Sequence, residues 1–238
     1  MGLLIITTLP SILILMYFVK GDKFPEPQDK ILKTFFWGLA ICLPAYIGNT
    51  LLFEVYRDLG ISNILSSSFF GPAIVEEGLK FLVFLNIVYK FKDFDEPIDG
   101  IVYGVCISLG FAMLENIYYV YLRGGLGDPY AVAIVRSFTA VPAHAIFGAV
   151  MGINFARYKF KKSKDKSYLT LALVIPYLLH GLYNFLIQTN YPYGLLLVLC
   201  GVIYVLKKYN DEIKLQKKKK KKKLIILFFL NLDKIHNL

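Results

Sequence analysis

The residues of this chain best able to do chemistry sit inside long apolar runs, where ionisable groups are rare. One run holds Glu76, Glu77 and Lys80 in the string Glu-Glu-Gly-Leu-Lys. A second holds Glu115 and Asn116, a third His144, and a fourth His180 and Asn184. On insertion scales an ionisable side chain at a bilayer centre costs about 2.5–3.5 kcal/mol. Such groups need partners, and helical spacing offers them. Glu76 and Lys80 are four apart, Glu77 and Lys80 three apart, and His180 and Asn184 four apart. Each of these pairs can meet on one helix face.

The chemistry that fits these residue types is water activation. Glu76 or Glu77 could act as general base toward a water. His144 and His180, with Glu115, could hold a divalent ion such as zinc and leave a position for water. Without metal, the histidines would instead stabilise an oxyanion. Lys80, Asn116 and Asn184 would support these groups. A His-Glu-x-x-His zincin motif and a Gly-x-Ser-x-Gly elbow are both absent from the sequence.

The elements that must position these groups are membrane helices. A span needs about 20 mostly apolar residues. Seven stretches qualify or nearly so: Gly2–Val19, Thr34–Phe53, Phe69–Tyr89, Ile98–Leu122, Ser137–Ala156, Tyr168–Gln188 and Tyr193–Leu206. The fold expected is an all-α integral membrane bundle of about seven helices. Lys/Arg-rich and Lys/Arg-poor connections alternate along the whole chain. The positive-inside rule then places the N-terminus outside and the C-terminus in the cytoplasm.

With that topology the polar groups share a depth. Glu76 lies seven residues into its span and Glu115 seven residues before the end of the next, each roughly 11 Å deep at 1.5 Å per residue. His144 and His180 fall in the same layer, toward the outer side. The fourth span also carries Gly100, Gly104, Ser108 and Ala112, and the fifth Gly148 and Gly152. Rows of small residues let helix backbones approach closely.

Composition agrees. The 238 residues are 56% apolar and 18% charged, which excludes an ordinary soluble domain and a disordered chain alike. The net charge of +10 lies in the connections and tail, so nucleic acid is not an expected partner. Cys42, Cys106 and Cys200 are isolated in apolar runs and form no CxxC pair. The expected organisation is a membrane domain over 1–210 and a lysine-rich cytoplasmic tail over 211–238. The run Lys217–Lys223 could touch anionic lipid, and the tail itself is expected to be disordered.

The order Glu76-Glu77-x-x-Lys80, Phe111-x-x-x-Glu115-Asn116, His144, His180-x-x-x-Asn184 resembles the PrsW family of intramembrane proteases. That family is related to the CAAX-type prenyl-protein proteases and their bacterial relatives. The resemblance covers residues 69–188. The CAAX-type relatives more typically carry Arg three or four residues after Glu-Glu and a His in the second motif. Lys80 and Glu115 stand in those places and favour the PrsW branch. The resemblance implies a multi-pass protease of a bacterial cell membrane, making the first cut in a membrane-anchored anti-sigma factor. The matching catalytic positions are Glu76, Glu77, Glu115, His144 and His180. The family more commonly has Asp where Asn184 stands. A neutral amide cannot act as base, so Asn184 takes an orienting role toward His180. Metal and metal-free glutamate mechanisms both stay open. So do two other functions: an ion- or proton-coupled transporter, and a non-catalytic assembly protein using polar groups as interhelical glue.

Overall fold

The computed structural model describes residues 1–61, 63–123, 125, 127–161 and 165–236, with side chains described up to residue 221. Among these, every regular element is helical. The helices are α1 (Gly2–Gly21), α2 (Gln28–Ala40), α3 (Cys42–Asp58), α4 (Ile74–Asn86), α5 (Pro97–Ile117), α6 (Pro129–Phe138), α7 (Ala140–Phe160), α8 (Ser167–Thr189) and α9 (Tyr191–His236). Wide π-helical turns, Ser66–Ala73 and Tyr118–Leu122, precede α4 and extend α5.

The distribution of side chains is that of a protein in lipid. In α1 the buried residues include Thr7 and Ser11, while Leu4, Leu13 and Tyr17 are exposed. Phe36, Leu43 and Leu199 also face outward. Water would reverse this pattern, whereas hydrocarbon solvates the apolar faces and drives polar groups inward. Six helical stretches are long and apolar enough to span: Gly2–Gly21, Gln28–Asp58, Pro97–Leu122, Pro129–Phe160, Ser167–Thr189 and Tyr191–Lys221. The chain is a multi-pass membrane protein.

Six is one fewer than the sequence suggested. The difference is the third predicted span, Phe69–Tyr89. It is helical, but its first five residues belong to the π turn containing Pro72, and α4 carries Glu76, Glu77 and Lys80. Pro72 has no N–H to donate, which suits a wide turn at this point. Two other spans are interrupted. Gln28–Asp58 breaks at Ile41, between α2 and α3. Pro129–Phe160 breaks at Thr139, three residues before Pro142.

The core is α5 against α7. A Cβ added at Gly100 would strike the carbonyl of Gly152, and one at Gly104 that of Gly148. The reverse holds for Gly148 and Gly152. The two backbones therefore touch along this row, and both helices are buried over most of their length. α1 and α2 pack on α5, and α8 and α9 on α7.

The end of the chain departs from expectation. Residues 211–221, expected to be disordered, continue α9 as helix. The cause is docking: Tyr209 donates its hydroxyl to the Phe18 carbonyl at 2.6 Å, and Ile213 and Gln216 are buried. The side chains of 222–238, including Lys222 and Lys223, lie outside the described residues.

Candidate active site

α4, α5, α7 and α8 converge on one polar cluster inside this apolar bundle. α4 contributes Glu76, Glu77 and Lys80, all buried. Lys80 Nζ donates to Glu77 Oε1 at 2.7 Å, with both side chains fully enclosed. The same ammonium lies 3.0 Å from His144 Nδ1 and 4.4 Å from the centre of the Phe111 ring. Glu77 Oε1 also meets His180 Nδ1 at 3.0 Å. His144 Nε2 reaches Glu115 Oε2 at 2.9 Å.

These contacts fix the proton positions. A carboxylate accepts, so His180 carries its proton on Nδ1 and His144 on Nε2. His144 Nδ1 is then the acceptor facing Lys80. His180 Nε2 is left as a lone pair, 4.0 Å from Glu76 Oε2. The imidazoles stand edge to face at 5.2 Å, and His180 stacks on Phe147 at 5.0 Å.

The layer expected from helix depth is thus a contact network. Glu76, Glu77, Glu115, His144, His180 and Lys80 come together. Asn184 does not join them. It is half-buried, and its side chain makes no hydrogen bond to His180 among the described residues. Glu77 and Phe147 orient that imidazole instead. Asn116 is buried and bridges two elements: its amide donates to the Thr7 carbonyl of α1 at 3.4 Å and its Oδ1 accepts from Arg136.

Two participants were not anticipated. Arg136 of α6 donates from Nη2 to Glu115 Oε2 at 2.7 Å and from Nε to Asn116 Oδ1 at 2.7 Å. Its guanidinium lies 3.8 Å from the centre of the Tyr119 ring. In the sequence Arg136 is a basic residue immediately before the fifth predicted span, Ser137–Ala156. Asn49 of α3 donates to Glu76 Oε1 at 3.2 Å. Its signal was available, since it is an amide within the second predicted span.

The donors suited to a metal are not quite the expected set. Glu76, His144 and His180 each offer a ligand atom, all within 4.8 Å of one another and all buried. Glu115, the carboxylate expected there, is engaged by Arg136 and by the far nitrogen of His144. The surroundings fit an ion. Glu76 Oε2 and Glu77 Oε2 are buried without a hydrogen-bond partner. Each histidine gives one ring N–H to a carboxylate, the usual arrangement around a metal-bound imidazole, and His144 Nδ1 would exchange its Lys80 contact for the ion. Three carboxylates face two fixed cations, Lys80 and Arg136, so further positive charge is favourable here.

Comparison with known proteins decides the family. The model for the PrsW family intramembrane metalloprotease matches residues 26–207, most of the chain. The chain belongs to the PrsW family of intramembrane metalloproteases. It is 34% identical over 209 residues to Protease PrsW of Oceanobacillus iheyensis, covering 85% of this chain and 94% of that one. It is 37% identical over 195 residues to Protease PrsW of Bacillus subtilis, covering 79% and 84%. With Protease PrsW of Clostridioides difficile the identity is 33% over 207 residues, covering 85% and 87%. No solved structure matches the chain. The PrsW match is wider than the 69–188 stretch that carries the motifs. It takes in α2, α3 and Asn49, and reaches into α9. The enzyme is an intramembrane protease.

Proposed function

We propose that this protease hydrolyses a peptide bond of a membrane-anchored protein with a divalent ion held by Glu76, His144 and His180. The observation that carries this reading is the donor trio itself, three buried ligand atoms within 4.8 Å. A zinc-type ion there would supply Lewis acidity and would make a water a better nucleophile at neutral pH.

Glu77 is the base in this scheme. Its Oε1 is occupied by Lys80 and His180, while its Oε2 is buried and free to take a proton. Lys80 compensates the Glu77 charge in a site that water cannot reach freely. Glu115 fixes the His144 tautomer, and Arg136 fixes Glu115. The Glu115 and Arg136 side chains are 14% and 15% exposed, so this edge is the route for water and protons.

With the helical stretch Phe69–Tyr89 counted as a seventh crossing, the alternation of basic connections places the N-terminus outside, the C-terminus in the cytoplasm and the site toward the outer leaflet. Resemblance to the family supports an anti-sigma factor as substrate, cut once here before a second protease acts. The test uses purified enzyme with a single-pass membrane substrate, followed by mass spectrometry. Cleavage should stop with a zinc chelator, return with zinc, and be absent in Glu77→Gln. Cleavage that survives the chelator would reject the metal and leave a glutamate mechanism.

A further inference from the structure

A second set of buried acids lies far from the catalytic layer. Asp22 follows α1, Glu26 precedes α2, and Asp99 is in the first turn of α5. Each offers an oxygen, and these lie within 4.8 Å of one another. Their exposures are 6%, 8% and 1%. Asp99 and Glu115 are sixteen residues apart on one helix, roughly 24 Å. The catalytic ion cannot serve both places.

The catalytic carboxylates have Lys80, Arg136 and two imidazoles. Among the described residues the second set has only Lys159 near Asp99 and Glu26, and it pairs with neither. None of the three makes an ion pair among the described residues. The Tyr103 hydroxyl donates to Glu26 Oε2. Asp99 Oδ2 accepts the backbone N–H groups of Asp95 and Glu96 at 2.9 and 2.6 Å. Asp22 Oδ1 accepts from Phe24 N at 3.0 Å and Gln216 Nε2 at 2.8 Å. Asp22 Oδ2 is buried with no partner at all. Neutral donors supply no positive charge, so ionising these three carboxyls together needs a compensating cation.

We propose that Asp22, Glu26 and Asp99 form a binding site for a hard divalent cation of the magnesium or calcium type. All-oxygen donor sets select such ions over zinc. A cavity of about 350 Å³ lined by Glu96, Glu212, Gln216 and Lys219 borders the Gln216 side chain that contacts Asp22. The ion has a structural task. Gln216 of α9 donates to both Asp22 Oδ1 and Glu96 Oε2, and Lys219 pairs with Glu96 at 3.0 Å. Charge compensation at Asp22 therefore ties the end of α1, the start of α5 and the extended α9 into one unit. This site does not depend on the catalytic assignment.

The test uses the full-length enzyme in detergent, stripped with EDTA. Thermal unfolding is followed against Mg²⁺ and Ca²⁺, and Mn²⁺ binding is read by loss of its free EPR signal. Wild type should bind Mn²⁺ and gain about 5 to 10 °C at roughly one hundred times the Kd. His180→Ala, which removes a ligand of the catalytic ion, should leave both responses intact. In that His180→Ala background, Asp22→Asn should abolish both responses while remaining folded, because it removes a buried charge and keeps the shape. Glu26→Gln in the same background provides the same test should Asp22→Asn not fold. Absence of any response in His180→Ala overturns the proposal. So does a response in His180→Ala that survives Asp22→Asn.

Discussion

Arg136 Nη2 lies 2.7 Å from Glu115 Oε2, and His144 Nε2 meets that same oxygen at 2.9 Å. One carboxylate atom therefore links a guanidinium on α6 to an imidazole on α7. Removing the guanidinium leaves Glu115 free to rotate and His144 free to change tautomer. Arg136→Gln should lower cleavage about 10- to 100-fold, the range for losing an outer partner of a metal-bound histidine. Arg136→Lys should recover only part of this, since one ammonium cannot hold both Glu115 and Asn116 in the same geometry. Initial rates on a fixed substrate, beside metal content, check both. Wild-type rates in Arg136→Gln would remove the residue from the machinery.

The carboxylates can be sorted by what each mutant retains. Glu76→Gln should emerge from purification without bound metal. Glu77→Gln should keep the metal and lose cleavage by about 10²- to 10⁴-fold, as expected for a general base. Glu115→Gln should keep a weakened site, still loading when zinc is supplied in excess. Mass spectrometry of bound metal, paired with cleavage rates, separates the three. Normal metal content in Glu76→Gln would move the ligand role back to Glu115.

The sequence exposed the buried polar cluster because charge in hydrocarbon is costly, so Glu76, Glu115, His144 and His180 stood out one by one. Counting residues from the span ends put them at one depth, and the helix row at Gly104 and Gly148 explains how α5 and α7 come close enough. Arg136 was harder. A guanidinium at a span mouth reads as a topology signal, and its role depends on α6 turning at Thr139 to aim it inward. Asn49 carries no charge, so its cost in lipid is small and its signal weak. The third span hid its π turn because i to i+5 winding leaves no periodicity to read over eight residues. Gln216 looked like solvated tail because a lone amide before seven lysines has no amphipathic pattern. Its partners, Asp22 and Glu96, are distant in sequence.

The α5–α7 contact predicts a structural failure distinct from a catalytic one. A Cβ at Gly152 would overlap the backbone of Gly100, which has no side chain to swing aside. Gly152→Val forces the helices apart over the row that also aligns Glu115 with His144. Overpacking of this kind costs about 1–3 kcal/mol, and more where backbone must move. The variant should lose activity together with a Tm drop of several degrees. Glu77→Gln, in contrast, should lose activity with its fold intact. A normal Tm in Gly152→Val would mean that the two helices can separate freely.

Glu26 gives the enzyme a pH-dependent stability. Burial is the largest influence on this carboxyl and raises it from 4.5 to about 7, against the lowering effect of the Tyr103 hydroxyl. The folded protein then binds the proton more tightly than the unfolded chain does. The favourable contribution is complete below 4.5 and is lost as pH rises through 7. In EDTA-stripped enzyme the Tm should therefore fall between about pH 5 and pH 8, in the direction linkage requires. Glu26→Gln should flatten this slope, because an amide accepts from Tyr103 without ionising. Saturating Mg²⁺ should flatten it too if Glu26 ligates the ion, since the cation replaces the proton as the source of compensating charge. Unfolding curves at several pH values, with and without Mg²⁺, give the comparison. A Tm that rises with pH across this window in the stripped wild type would contradict the burial of Glu26.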